Sequence, residues 1–318
     1  MKRAITGDQI LQWQDIRKQE LLLGEYLARG ESMLFYAPTG HGKTVNALML
    51  SIALTTGGKF YDWPVHRKIP LLFVEGGELT AYGIAQRARA IYKSLGITSD
   101  PNFHLKAPTK TEPFVYDITN PNHQAVLENY VDEYGIECVV FDNFNSLRGE
   151  GSDEFVSWSR LEKFLQKLKT KGVCTVVIHH TNKEAKQQSG GQRKADFADT
   201  VIRLQKSRLS TRESKRDTEG KLYVEVEMQK FRWGEAAPVI LTELVFVGED
   251  EIQMIEADYQ DVLSQTISRD LLKYGVGYVR KKFDYLGYKL EHYINKPTHD
   301  DPVTRFDNSV PFDTNDFF

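Results

Sequence analysis

The run Ala37-Pro38-Thr39-Gly40-His41-Gly42-Lys43-Thr44 has the residue types and spacing of a phosphate-binding loop. Gly40 and Gly42 let backbone N–H groups curl around phosphate oxygens, Lys43 places a point charge on the terminal phosphates, and the Thr44 hydroxyl suits Mg²⁺. Pro38, Thr39 and His41 complete the candidate nucleotide-binding stretch. Ala37 stands where the usual pattern opens with Gly. A strand expected over Met33 to Tyr36 and a helix from about Lys43 give the loop its context, and the helix N-terminus adds positive potential at the same point. Taken alone, the run also reads as a glycine-rich turn with an exposed lysine.

Two more strands end in acids. Cys138-Val139-Val140-Phe141-Asp142 puts a carboxylate at the carboxyl end of an apolar strand, where open α/β sheets bind ligands. Asp142 is the candidate Mg²⁺-associated acid; a buried strand followed by a turn aspartate is the alternative. Val74-Glu75-Gly76-Gly77-Glu78-Leu79 is a turn with two acids ahead of a helix that contains Arg87. A carboxylate there can orient water for in-line attack on a γ-phosphoryl group, because positioning and electrostatics supply nearly all the catalysis of phosphoryl transfer. Glu78 is preferred to Glu75 for that task, and capping of the next helix is its other reading.

Positioning these groups requires a layered scaffold. Helices expected over Thr44 to Thr55, Thr80 to Leu95, Gln124 to Tyr134 and Asp153 to Thr170 alternate with strands over Met33 to Tyr36, Ile69 to Glu75, Ile136 to Phe141 and Val173 to His179. Such alternation means parallel strands with crossover helices, hence an α/β fold with a doubly wound, mostly parallel sheet. The segment Phe103 to Tyr116 has no firm pattern. From Thr200 the pattern becomes strands without helices, over Thr200 to Leu204, Leu222 to Lys230 and Val239 to Phe246, read as an antiparallel extension with a polar loop at Ser207 to Gly220. The organisation expected is an arm over 1–25, an ATPase core over 26–256, a helical extension over 257–295 beginning with a helix from about Ala257 to Tyr274, and an acidic, disordered tail over 296–318.

With 318 residues, 41% of them hydrophobic and 27% charged, the chain can bury one large core plus a modest appendage. Met1 to Gln14 lacks a signal-peptide core and Ala47 to Leu54 is too short to span a bilayer, so a cytoplasmic place without membrane contact is expected, of whatever cell the chain works in. Cys138 and Cys174 fall in apolar runs and read as reduced core residues. A net charge of −3 argues against a generally basic nucleic-acid binder, yet Lys183 to Lys221 holds eleven Lys/Arg against six Asp/Glu. That stretch is either a solvated loop or a phosphate-tracking surface.

From about Leu22 to Leu244 the chain resembles the RecA-fold hexameric ATPases, specifically DnaB-type and plasmid RepA-type replicative helicases and their compact phage and plasmid relatives. The resemblance rests on the phosphate loop and on Glu78 with Arg87 nine residues later. It also rests on Ile178-His179-His180-Thr181-Asn182-Lys183 ending the fourth strand, on the run Asp196 to Ile202, and on Lys230-Phe231-Arg232-Trp233-Gly234. It implies a RecA-like P-loop NTPase core using ATP and Mg²⁺, with Lys43, Thr44 and Asp142 at the phosphates and metal, Glu78 activating water and His180 sensing the γ-phosphate. It further implies that Lys183, Lys186, Arg193 and Lys194, in a loop made mobile by Gly190 and Gly191, contact single-stranded DNA. Lys230 and Arg232 would then act on the nucleotide of a neighbouring subunit. The expected protein is a ring-forming homo-hexameric DNA helicase of replication. Two other readings stay open: a filament-forming recombination or repair ATPase, and an ATP-dependent loader or switch. The His179-His180 pair lacks an evident third metal ligand. The last residues, Phe312 to Phe318, are acidic and aromatic, and read either as a dock for a polymerase, primase or other replisome protein or as a solvated end.

Overall fold

Period-two alternation along the buried strands sorts the apolar residues into two layers. The computed structural model describes residues 6–12, 20–111, 113, 115–149, 153–180, 191–211, 221–247 and 251–258, with scattered residues of 261–279. In chain order these form α1 (Gly7–Leu11), β1 (Leu21–Leu23), β2 (Leu27–Ala28), β3 (Ser32–Ala37), α2 (Lys43–Thr56), β4 (Lys59–Phe60), β5 (Trp63–Pro64), β6 (Leu71–Glu75), α3 (Ala81–Ser94) and β7 (Phe103–Lys106). Then come α4 (Pro121–Glu133), β8 (Cys138–Asp142), α5 (Phe144–Leu147), α6 (Glu154–Thr170), β9 (Cys174–His180), α7 (Gly191–Phe197), β10 (Thr200–Lys206), β11 (Leu222–Phe231), β12 (Ile240–Val247) and β13 (Glu251–Ala257). Nine strands make one sheet in the order β13-β12-β11-β10-β3-β9-β8-β6-β7.

On one face Met33, Phe35, Leu71, Phe73, Val140, Val176 and Ile178 pack with α2 and α3. On the other, Leu34, Leu72, Val74, Val139, Phe141 and Val177 pack with α4, α5 and α6. Helix α2 is buried at twelve of its fourteen positions, as expected of a helix covered on both sides. β13 packs on α3, and its Ile252 lines a cavity together with Met49 and Ala53 of α2.

The doubly wound sheet is as expected, with three changes. β10 is parallel to β3, pairing Thr200 with Met33 and Arg203 with Tyr36, so it closes the parallel core and the antiparallel extension begins only at β11. Phe103–Lys106 is a parallel edge strand on β6. The extension has a further strand, β13, over Glu251–Ala257, which is not among the strands expected; helical residues follow at 261–263, within the helix expected from about Ala257. The first four residues of β13, Glu251 to Met254, alternate polar and apolar before Ile255 breaks the pattern, and they read as a strand once β12 is beside them, with Gln253 paired to Val245. Most of the loop Ser207 to Gly220, the arm residues around Trp13 and Ile16, and the tail 296–318 lie outside the described residues. Among the described residues no helix is long and apolar enough to cross a membrane.

Candidate active site

All the parallel strands present their carboxyl ends at one edge of the sheet, and the candidate chemistry collects there. The loop 38–42 joins β3 to α2, with Gly40 and Gly42 at φ 84° and 80°, conformations that favour glycine. Lys43 is buried and its Nζ donates to the carbonyls of Ala37 at 3.0 Å and Pro38 at 2.8 Å. Burial pushes its pKa down to about 8, against the pull of Asp142 and Glu78. The His41 ring is fixed from the side, because the Lys206 N–H at the end of β10 donates to its Nδ1 at 2.9 Å. That bond needs a neutral imidazole, and burial followed by the charges of Lys43 and Lys206 lowers the His41 pKa in the same sense.

Asp142 and Glu75 are paired across β8 and β6, so two buried carboxyls share one face. Burial raises Asp142 to about 6, moderated by a hydrogen bond from Thr44. Its Oδ2 is buried without a hydrogen-bond partner. A buried carboxylate oxygen with open lone pairs beside a hydroxyl is the donor set a hard cation such as Mg²⁺ takes, so Thr44 and Asp142 fit the ion. Glu75 is used otherwise: its Oε1 accepts from the Leu79 N–H at 2.8 Å, closing the turn. Burial, then the Asp142 charge, raises Glu75 from 4.5 to about 8.

This shift has a measurable sign. A carboxyl whose pKa rises on folding contributes its full stability below the unfolded value and loses it as pH climbs through the folded one. For Glu75 the window runs from 4.5 to about 8. Thermal unfolding midpoints of wild type and Glu75→Gln, without nucleotide or divalent ions, should agree at the acid end and separate at the alkaline end with wild type lower. Parallel curves throughout would refute the assignment.

Glu78 projects from the same turn into a polar cradle. Its Oε1 accepts from Asn143 Nδ2 at 2.7 Å and Ser146 Oγ at 3.1 Å, and His180 Nε2 lies 3.2 Å away. Burial raises its pKa, but Asn143, His180, Ser146 and Lys43 outweigh that and hold the carboxyl below the usual range. The other ring nitrogen of His180, Nδ1, is 3.4 Å from Thr39 Oγ1. His180 therefore bridges the phosphate loop and Glu78. Close approach of α5 depends on Gly76, where an added Cβ would lie 2.5 Å from Ser146 Cβ. Arg87 faces the same centre: its charge draws Asp142 down, and its NH1 is buried without a hydrogen-bond partner.

The structure thus brings together Thr39, Lys43, Thr44, Glu78, Asp142 and His180. It leaves Lys230 and Arg232 apart. Phe231 pairs with Thr200, which pairs with Met33, so these residues lie at the edge opposite the phosphate loop. Lys230 Nζ donates to the carbonyls of Ala195, Asp196 and Ala198 at 2.7, 3.0 and 2.7 Å. Arg232 pairs with the buried Asp199 at 2.8 Å and also bonds the Asp196 carbonyl.

Of the candidate DNA contacts, Lys183 and Lys186 lie outside the described residues. Arg193 is exposed but pairs with Glu162 at 3.0 Å and stacks over Phe155. Lys194 requires correction: it is only 2% exposed, bonded to Glu154 and His179, and so faces the interior instead of a DNA channel. The reason is that α7, which carries it, packs on the sheet beside β3. Sequence reasoning missed Asn143 and Ser146, although the polar residues Asn143, Asn145 and Ser146 just after Asp142 were a usable signal.

No curated protein sequence matches the chain. The fold is similar to that of a KaiC-like protein from the hyperthermophilic archaeon Pyrococcus horikoshii OT3, at 16% identity over 74% of this chain and 94% of that one, with a TM-score of 0.50. This likeness agrees with a RecA-like P-loop fold. A family model described as an AAA domain matches residues 6–186, and with the phosphate loop and acids in place the chain belongs to that family, as an ATPase of the RecA-like class.

Proposed function

We propose that the chain is a Mg-ATP-driven motor that assembles into a ring, expected to be hexameric, and translocates on single-stranded DNA as a replicative helicase. The observation that carries the hydrolytic part is the ionised Glu78 carboxylate held by Asn143, Ser146 and His180 beside the phosphate loop. In this reading Lys43 and the loop N–H groups bind phosphates, Glu78 orients and polarises water, and His180 reports the γ-phosphate to the segment after β9. Bound Mg²⁺, held through Thr44 and Asp142, would neutralise charge on the phosphate oxygens. The DNA part is supported by the basic stretch from Lys183 and by the resemblance of the motifs.

The ring is supported by Lys230 and Arg232, which lie too far across the sheet to serve their own nucleotide. The discriminating experiment images the protein with ATP and single-stranded DNA and assays fork unwinding. Closed rings that unwind a fork are expected. Open filaments with strand exchange would replace the proposal by a recombination ATPase, and ATP-driven partner binding without translocation by a loader or switch.

A further inference from the structure

Two groups hold Glu78 Oε1 from different elements, and one distant lysine stands behind both. His180 comes from the end of β9, while Asn143 caps α5 and Ser146 lies within it. Adjacent residues of a strand point to opposite faces. His180 faces the phosphate loop, while His179, buried at 1% exposure, faces the layer of α5, α6 and α7. There Lys194 Nζ lies 2.9 Å from His179 Nε2. The same ammonium sits 5.1 Å above the ring of Phe144, the residue after Asn143. Its charge partner is Glu154, which opens α6, and the Trp158 ring lies on another side at 5.6 Å. Phe144 and His179 also touch each other edge to face.

The Lys194 ammonium is thus packed among the immediate neighbours of two of Glu78's holders. Burying it costs free energy that only specific partners offset. A residue needed merely to fill this space would be apolar. An ammonium instead fixes distances to His179, to Glu154 and to the Phe144 ring at once, and so fixes how β9, α6 and α5 stand relative to one another. That relation determines whether His180 and Asn143 converge on one oxygen of Glu78.

We propose that Lys194 is a positioning residue for Glu78, acting through His179 on the β9 side and through Phe144 on the α5 side. The inference rests on the reading of Glu78 as the water-orienting carboxylate. Lys194 also lies on α7, the first described element after His180. Displacement of α7 would therefore loosen both holders together.

The test uses the full chain with Lys194→Met, which keeps the stem and removes the charge, and the double variant Lys194→Met/Glu154→Gln, which leaves no half-buried carboxylate without its partner. ATP turnover should fall about 10²-fold in both, the loss expected of a modest misplacement of a reacting group, with KM for ATP essentially unchanged. In a Glu78→Gln background the same changes should add no further loss, because the group being positioned is already gone. A merely structural role would instead raise KM and multiply with Glu78→Gln. Wild-type turnover in either folded variant, or multiplied losses, would overturn the inference. Normal hydrolysis by Glu78→Gln would sink the reading of Glu78 and the inference with it. An inactive Glu78→Gln beside an active Lys194→Met would sink the inference alone.

Discussion

Glu78→Gln protein should bind ATP with near wild-type affinity and hydrolyse it about 10²–10⁴-fold more slowly, the usual worth of a positioned general base. The amide keeps the size of the side chain and one oxygen for Asn143 and Ser146, but cannot take up a proton or carry the charge that draws His180 to 3.2 Å. Lys43→Ala should differ in kind. It removes the buried ammonium beside the loop carbonyls and so should abolish nucleotide binding itself. Equilibrium binding of a fluorescent ATP analogue beside single-turnover hydrolysis separates the two effects. Glu75→Gln serves as the internal control: Glu75 is held neutral by burial and by Asp142 up to about 8, so its amide should hydrolyse nearly normally. Fast turnover in Glu78→Gln together with slow turnover in Glu75→Gln would exchange the two roles.

The choice between these acids shows what a sequence can and cannot carry. The strand ends, the glycine spacing and the preference for Glu78 are local properties, because they depend on which residues follow a buried strand. The layers were legible for the same reason: alternation along β3, β6, β8 and β9 is a period-two pattern within each segment. Whether β10 runs parallel to β3 is not local. Thr200 to Lys206 reads as a strand in either direction, and only its partner, brought from more than 160 residues away, fixes it. β13 escaped notice because its alternation becomes informative only with β12 beside it. Lys194 is the sharper case. A lysine in a basic, glycine-containing stretch is ordinarily solvated, and nothing near it in sequence announces that His179 and Glu154 converge on it. Asn143 and Ser146, by contrast, were readable in kind, as polar residues at a strand's carboxyl end, but not in role.

Arg232→Ala protein should lose ATP hydrolysis by about 10³-fold or more, as removal of a cation supplied in trans does in other NTPases, and should regain part of it when mixed with Glu78→Gln protein. The recovery follows from geometry. Lys230 and Arg232 sit at the edge opposite their own phosphate loop, so any nucleotide they touch belongs to another subunit. In a mixed ring some interfaces join an Arg232→Ala subunit, whose Glu78 is intact, to a Glu78→Gln subunit, whose Arg232 is intact. Those interfaces alone carry a complete site. The competing account is equally definite: Arg232 pairs with the buried Asp199, and Lys230 binds three carbonyls at the end of α7, which together would make the pair an internal clamp. Loss of the clamp leaves Asp199 with Lys169 and the Ser32 N–H and should lower the unfolding midpoint of every Arg232→Ala subunit, mixed or not. Turnover measured across mixing ratios separates the accounts, because recovery through shared interfaces rises to a maximum at intermediate ratios, whereas a clamp defect gives no recovery at any ratio even when rings assemble.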